Sequence, residues 1–114
     1  MSPVFLGTFE GQAGHAASLL KAMSNESRLL VLCYLADEGE LSVGQLGDRV
    51  GLSQSALSQH LAKLREEGLV ATRKEAQTVF YRVCDPKAGE VLALLHDLFC
   101  PDLGRDAALK PSGE

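Results

Sequence analysis

The sequence lacks any apolar run long enough to cross a bilayer. The longest apolar stretch, Leu29–Ala36, is far shorter than the roughly 20 residues that a membrane-spanning helix needs. The N-terminus also lacks the basic segment and the convincing cleavage site of a secretory signal. We therefore expect a cytoplasmic protein with no membrane segment.

The sequence also lacks the cysteine patterns of metal sites and redox enzymes. Three cysteines are present: Cys33, Cys84 and Cys100. No pair has metal-knuckle or thioredoxin spacing, and a constitutive disulfide is not expected in a cytoplasmic protein. Cys33 lies in an apolar run, where a free cysteine is usually a small core residue. With the histidines distant in sequence, no nucleophile–base–acid constellation emerges, so we expect neither an enzyme nor a bound metal or cofactor.

The chain is not basic overall, with a net charge of −4. Its charge is unevenly distributed, however. Six basic and three acidic residues lie between Arg49 and Arg82, whereas the rest of the chain has five basic and twelve acidic residues. A small basic surface on an acidic body is typical of a sequence-specific nucleic-acid binder rather than an indiscriminate one.

The stretch Leu52–Leu69 predicts a helix that begins at an N-cap, Ser53, and ends before Gly68. Its apolar stripe recurs at the spacing of a helix: Leu57, Leu61 and Leu64. The opposite face and its flank carry four uncharged polar residues: Gln54, Ser55, Ser58 and Gln59. A helix in the DNA major groove needs such donors and acceptors to contact base edges. The alternative is an ordinary amphipathic helix with a solvated polar face.

The flanking sequence favours the DNA-binding alternative. Residues 41–52 predict a short helix and a glycine-containing turn, as in a helix-turn-helix. Downstream, Leu69–Thr72 and Val79–Val83 predict two strands around a polar tip, the wing of a winged helix. Because the tip has no Asn-Gly or Asp-Gly pair, we expect a longer loop over Arg73–Gln77. Arg73 and Lys74 are expected to contact phosphates or the minor groove.

The remaining helices are predicted at Ala13–Met23, at Glu26–Ala36 and from Pro86 onward, with Asp85 as the cap of the last one. In the second of them, five residues are expected to face inward: Leu29, Leu32, Cys33, Leu35 and Ala36. Leu94 makes the last helix apolar over most of its circumference, which predicts a homodimer. The fold class is thus mainly α with a small β-hairpin: a dimeric winged helix-turn-helix of five helices and a two-stranded wing. We expect one domain over residues 1–103 and a disordered tail over residues 104–114.

Three segments together resemble the ArsR-type winged-helix repressors over roughly residues 15–100: LLKAMSNESRLLVLCYL, LSVGQLGDRVGLSQSALSQHLAKLREEGLV and VFYRV. The resemblance implies a homodimer formed by the first and last helices. It implies an operator DNA with two half-sites in an inverted repeat, and release of that DNA when an inducer is sensed. By position, Gln54, Ser55, Ser58 and Gln59 fall where members of the family contact DNA.

Departures from the metal-sensing members are informative. The arsenic, lead and cadmium sensors have a Cys-x-Cys where this chain has Ser42-Val43-Gly44-Gln45, so no thiolate cage is expected. The zinc, nickel and cobalt sensors have an Asp-x-His pair and two further ligands on the last helix, of which only Asp85 has a counterpart here. His96 is therefore interpreted as a surface or interface residue.

Cys33 in SRLLVLC and Cys100 in DLFCPD match the thiols of the BigR/SqrR/YgaV-like persulfide and redox sensors. The match implies a switch in which one thiolate attacks a persulfide, polysulfide or oxidant and the second closes a bridge. We expect Cys100 to be the more exposed attacker, Cys33 the resolving thiol and Cys84 a bystander. One of the pair is expected to have a lowered pKa. The alternatives are a repressor that senses a metal or another small ligand, with structural cysteines, and a winged helix that binds protein.

Overall fold

The computed structural model describes residues 3–100, and the tail predicted over residues 104–114 lies outside this range. Its elements are α1 Pro3–Glu10, α2 Ala13–Met23, α3 Glu26–Glu38, β1 Leu41–Ser42, α4 Val43–Val50, α5 Gln54–Glu66, β2 Val70–Glu75, β3 Thr78–Val83 and α6 Pro86–Phe99. The predicted mainly α architecture with a helix-turn-helix and a β wing is confirmed.

One described helix, α1, was not predicted. It is eight residues long, starts with Pro3 at a position that tolerates a missing N–H, and is separated from α2 by Gly11 and Gln12. Its sequence is too short and too glycine-containing to show a clear helical period of apolar residues. The described chain therefore has six helices where five were predicted.

Side-chain caps fix where the other helices begin. Asn25 accepts a hydrogen bond from the Arg28 N–H at 3.0 Å, which caps α3, and Asp85 accepts one from the Lys87 N–H at 2.9 Å, which caps α6. Ser42 starts α4 through a reciprocal pair of hydrogen bonds with Gln45. The predicted starts of α3 and α6 are confirmed because each depends only on residues close together in sequence, whereas the Ser42 cap of α4 was not predicted.

The sheet has three antiparallel strands in the order β1-β3-β2, whereas a two-stranded wing was predicted. The additional strand, β1, pairs Leu41 with Tyr81 and Ser42 with Phe80. Two residues are too few to show strand alternation in a sequence. The pairing joins the start of α4 to the wing.

The wing tip is tighter than the loop predicted over Arg73–Gln77. Strands β2 and β3 stay paired as far as Glu75 and Thr78, which leaves Ala76 and Gln77 as a two-residue turn. Ala76 adopts a left-handed conformation with φ 56°, which costs a non-glycine residue about 1 kcal/mol. The prediction was wrong because continued cross-strand pairing outweighs that local cost.

The buried core is built from one face of each major helix. The predicted α5 stripe is confirmed, since its three leucines are almost completely buried: Leu57, Leu61 and Leu64. They pack with the buried face of α3 and with Ala88 and Leu92 of α6. Because the buried leucines fix the inner face of α5, the opposite face of this helix is exposed to solvent.

The inward face predicted for α3 was partly wrong. Leu32 and Leu35 are buried as predicted, and Val31 is buried as well, but Cys33 and Ala36 are exposed. Each residue of a helix is rotated by about 100° from the one before it. With Val31, Leu32 and Leu35 in the core, Cys33 points away from it.

Helix α6 leaves apolar side chains at the surface of the single chain. Leu94 is 56% exposed, Leu98 63% and Phe99 79%. Leu20 of α2 and Leu30 of α3 are exposed as well, at 56% and 42%. Within residues 3–100, no helix is both long and apolar enough to span a membrane.

Candidate nucleic-acid interface and thiol groove

Helix α5 is positioned by a tight turn and a serine cap. Gly51 ends α4 in the left-handed region at φ 72°, which glycine adopts without a steric penalty. Two residues later Ser53 accepts a hydrogen bond from the Ala56 N–H at 3.1 Å and starts α5. This short connection sets α5 across α4 as the second helix of a helix-turn-helix.

The four polar residues predicted to contact DNA are all exposed in the first two turns of α5: Gln54, Ser55, Ser58 and Gln59. Ser55 and Gln59 lie opposite the buried leucines, and Gln54 and Ser58 lie on the flank. Within the described chain, no hydrogen bond engages any of these four side chains. Their donors and acceptors are therefore available to the edges of base pairs.

Two neighbouring basic residues of the wing differ sharply in their surroundings. Arg73 forms ion pairs with Glu40, at 2.8 Å, and with Glu75, at 3.0 Å, and its guanidinium lies 4.9 Å from the centre of the Phe80 ring. These hydrogen bonds raise the pKa of Arg73 and lower the pKa of Glu40. Lys74 is exposed and forms no ion pair within residues 3–100. Arg73 thus ties the wing to the residue before β1, whereas Lys74 is free to bind a phosphate.

The two predicted sensor thiols lie on facing helices. Cys33 is exposed on α3, and Cys100 is half-buried directly after α6. Partial burial, and to a smaller extent the nearby charge of Cys100, raise the pKa of the Cys33 thiol. The structure therefore places Cys33 on α3 and Cys100 at the end of α6, the helix that packs against α3.

One expectation about these thiols was wrong. Cys33, not Cys100, is the more exposed of the pair, because α3 turns it away from the core. The pKa of the Cys33 thiol is raised, because neighbouring atoms of the protein displace water from the sulfur, so Cys33 is not the member of the pair with the expected lowered pKa.

A groove of about 240 Å³ lies between α3 and α6 beside Cys33. Its lining comes from both helices: Cys33, Ala36, Asp37, Gly89, Leu92, Ala93 and His96. Sequence reasoning did not predict that Asp37 and His96 share a groove with Cys33. The spacing of these residues was a signal that could have been used. Asp37 follows Cys33 by four residues and His96 precedes Cys100 by four, and residues at this spacing share a helix face.

Cys84 lies outside this groove, one residue after β3. Its thiol donates a hydrogen bond to the Gly68 carbonyl at 3.4 Å, at the base of the wing. This position agrees with its interpretation as a bystander, which stays a prediction.

Comparison with known proteins assigns the chain to a family. Residues 25–72, which contain both helices of the helix-turn-helix, match the family model of the bacterial regulatory proteins of the arsR family. The transcriptional activator HlyU of Vibrio cholerae is 56% identical over 99 residues, covering 87% of this chain and 91% of the relative. The chain belongs to the ArsR family.

Solved structures of ArsR-family regulators have the same fold. Reduced HlyU from Vibrio cholerae superposes with a TM-score of 0.76 at 57% identity, covering 82% of this chain and 97% of the other. The transcriptional repressor BigR from Xylella fastidiosa superposes with a TM-score of 0.79 at 40% identity, covering 88% and 98%. This ArsR-family chain is therefore a DNA-binding transcriptional regulator, and its relatives are named as regulators rather than as enzymes.

Metal-ligand geometry is not found in the described part of this ArsR-family chain. Within residues 3–100, no three histidine, cysteine or acidic side chains are placed so that they could hold a metal ion. The groove beside Cys33 is instead a site with one exposed thiol, one imidazole, one carboxylate and an apolar floor.

Proposed function

We propose that this regulator is a repressor that binds an inverted-repeat operator as a homodimer and is released when Cys33 and Cys100 become linked. The inducer is a persulfide, a polysulfide or another oxidant of thiols. The observation that carries the proposal is the position of the two thiols. Cys33 lies on α3 and Cys100 directly follows α6, the helix that packs against α3, and Cys33 opens onto the groove between these two helices.

The homodimer is supported by the apolar residues that a single chain leaves exposed on α6: Leu94, Leu98 and Phe99. Monomeric proteins rarely expose contiguous apolar area of this kind, and a second copy would bury it around a twofold axis. Two copies of α5 would then read two half-sites of the operator. Lys74 adds phosphate contacts at each wing, while Arg73 keeps the wing in place through Glu40.

The chemistry of the switch is thiol–disulfide exchange with sulfane sulfur. Cys33 attacks the outer sulfur of a persulfide RSSH, which gives Cys33–S–SH and releases RSH. Cys100 then attacks the Cys33 sulfur, which forms the Cys33–Cys100 disulfide and releases H2S. Two thiols are oxidised and the sulfane sulfur is reduced. A further RSSH inserts one more sulfur into the bridge and releases RSH.

A link between α3 and the end of α6 would act on DNA binding through the dimer. Helix α6 contributes both a sensor thiol and the apolar residues of the proposed interface, while α3 packs against α4 and α5. Pulling α6 toward α3 changes the relative placement of the two α5 helices, so they no longer match the spacing of the half-sites.

The relatives support the redox switch but differ in the sign of regulation. One is named as an activator and another as a repressor, and HlyU has been solved in a form designated reduced. Activation and repression can both result from binding to an operator. The position of the operator relative to the promoter decides whether the bound protein blocks or assists transcription. We assign repression to this chain because release on modification then induces the regulated genes.

The experiment compares operator binding before and after treatment with polysulfide in wild type, Cys33→Ser, Cys100→Ser and Cys84→Ser. Wild type and Cys84→Ser are expected to be released, while either sensor variant binds the operator and stays bound. Mass spectrometry should find the Cys33–Cys100 link only in the released samples. Release of the Cys33→Ser, Cys100→Ser double variant would contradict the dithiol switch and favour a different ligand site.

A further inference from the structure

We infer that the groove between α3 and α6 admits the sulfur donor and that His96 accepts the proton of the Cys33 thiol as it attacks. This inference rests on the proposed dithiol switch and assigns it a base. The carrying observation is that an imidazole and the exposed thiol line one small groove, although they are 63 residues apart in the sequence.

The arrangement consists of two pairs, each one helical turn apart. Cys33 and Asp37 are four residues apart on α3, while His96 and Cys100 are four residues apart at the end of α6. Residues at this spacing share a helix face. Of the titratable and charged groups around His96, Cys33 and Asp37 face it from α3, and Asp97 and Cys100 are on its own segment.

A base is needed because the reactive form of cysteine is the thiolate. The raised pKa of Cys33 keeps this thiol protonated at neutral pH. Histidine is the side chain whose charge ordinarily changes nearest to neutral pH, so it is suited to general acid–base catalysis there. Asp37, on the same groove, then offers a negative charge to the imidazolium that forms.

The proton and the sulfur move together in the proposed step. The Cys33 S–H proton goes to a ring nitrogen of His96 while the sulfur forms a bond to the outer sulfur of RSSH. The S–S bond of the donor breaks, and the leaving RS⁻ takes the proton back from the imidazolium as RSH. The base is thus regenerated before Cys100 closes the bridge.

The groove is suited to a small donor and stays open in the proposed dimer. Three small residues, Ala36, Gly89 and Ala93, line it together with Leu92, and its volume of about 240 Å³ exceeds that of several water molecules. His96 lies two residues from both Leu94 and Leu98 and is therefore rotated by about 160° from these exposed apolar residues. Phe99, three residues after His96, is rotated only about 60° from it, so the groove stays open when the second copy is seated on Leu94 and Leu98.

The test measures the second-order rate at which cysteine persulfide modifies Cys33, followed by mass spectrometry between pH 6 and pH 10 in a Cys84→Ser, Cys100→Ser background. His96→Gln is compared with the unchanged background and with His15→Gln, an exposed histidine outside the groove. At pH 7 we expect His96→Gln to react at least about a hundredfold more slowly, the lower end of the usual range for removal of a general base, and His15→Gln to react normally. Toward the alkaline end of the range the gap should narrow, since hydroxide ionises a growing fraction of the thiol without help.

Two outcomes would overturn the role of His96: an unchanged rate at pH 7, or a rate lowered by the same factor at every pH. The second would indicate that the histidine only shapes the groove. Operator binding by reduced full-length His96→Gln verifies its fold. If wild type reacts but keeps its operator, the proposed switch fails while the role of His96 stands. If wild type switches and His96→Gln reacts at the same rate, only the role of His96 fails.

Discussion

The DNA-binding part and the proposed sensing part of this regulator are built in opposite ways. The DNA-binding part is one continuous stretch, from α4 at Val43 to the end of β3 at Val83, and it contains most of the basic residues. The sensing part joins Cys33 of α3 to Cys100 after α6, so the DNA-binding stretch lies between its two halves in sequence. A bridge between those halves therefore closes a loop around the DNA-binding elements.

Because the two parts are separate, substitutions around the thiols can change which inducer is sensed without changing which operator is bound. The orientation of the recognition face depends on α5 itself, because the buried leucines of this helix fix which of its sides faces solvent. The thiol groove depends on the packing of α6 against α3 and on how far α6 is free to move. Substitutions in one part should therefore leave the other part intact, except where α6 joins the two through the dimer.

The largest expected effect comes from the face of α6 that joins the two parts. Leu94→Glu should produce a monomer, because an exposed leucine of the proposed interface becomes charged. Operator affinity should then fall by about a hundredfold or more, since the second half-site no longer binds intramolecularly. Analytical ultracentrifugation and an operator titration measure both effects. Leu94→Met, which keeps the apolar side chain, should stay dimeric, and a Leu94→Glu monomer with wild-type operator affinity would contradict the account.

A smaller effect is expected from the recognition face alone. Ser58→Ala combined with Gln59→Ala should weaken operator binding by about 1–3 kcal/mol for each base pair that α5 can no longer recognise, with little effect on binding to random DNA. The rate of thiol modification should not change. Ser18→Ala on α2 is the control for an exposed serine. An unchanged ratio of operator to random-DNA affinity would show that α5 is not the reading helix.

The smallest effect is expected at the wing. Lys74→Ala should weaken binding to all DNA sequences alike and reduce the slope of log affinity against log salt by about 1, because the alanine side chain cannot neutralise a phosphate. Lys87→Ala, an exposed lysine at the start of α6, should leave that slope unchanged. If Lys74→Ala changes the preference between sequences and leaves the salt slope intact, Lys74 reads bases rather than phosphates.

Most of the DNA-binding part, and the starts of the helices on either side of it, could be predicted from sequence because the signals are local. Ser53, Asn25 and Asp85 each cap the helix that directly follows, and the leucine stripe of α5 fixes which face is buried. The features that were missed depend on tertiary contact. Strand β1 exists through its pairing with β3, and the tight turn at Ala76 is held by the strands on either side of it.

The thiol pair was predicted only through its resemblance to a family, and its surroundings were not. The spacing of apolar residues predicted that Cys33 faces the core. In the structure Val31, Leu32 and Leu35 face the core instead, so Cys33 points outward. The placement of His96 beside Cys33 needs the crossing of α3 and α6, which no local pattern encodes. The four-residue spacing within each pair, Cys33–Asp37 and His96–Cys100, is visible in the sequence. The sequence does not show that the two pairs face each other.

In the proposed switch, the state of the Cys33–Cys100 pair sets operator affinity, and a cycle of linking and reduction shows whether it does. Cys84→Ser protein is taken from the reduced form to the linked form, verified by mass, and back to the reduced form, and its operator dissociation constant is measured at each stage. The account predicts that affinity falls by about 5- to 150-fold in the linked form, typical of coupling between two sites, and recovers fully on reduction. A verified Cys33–Cys100 link with unchanged operator affinity would contradict it.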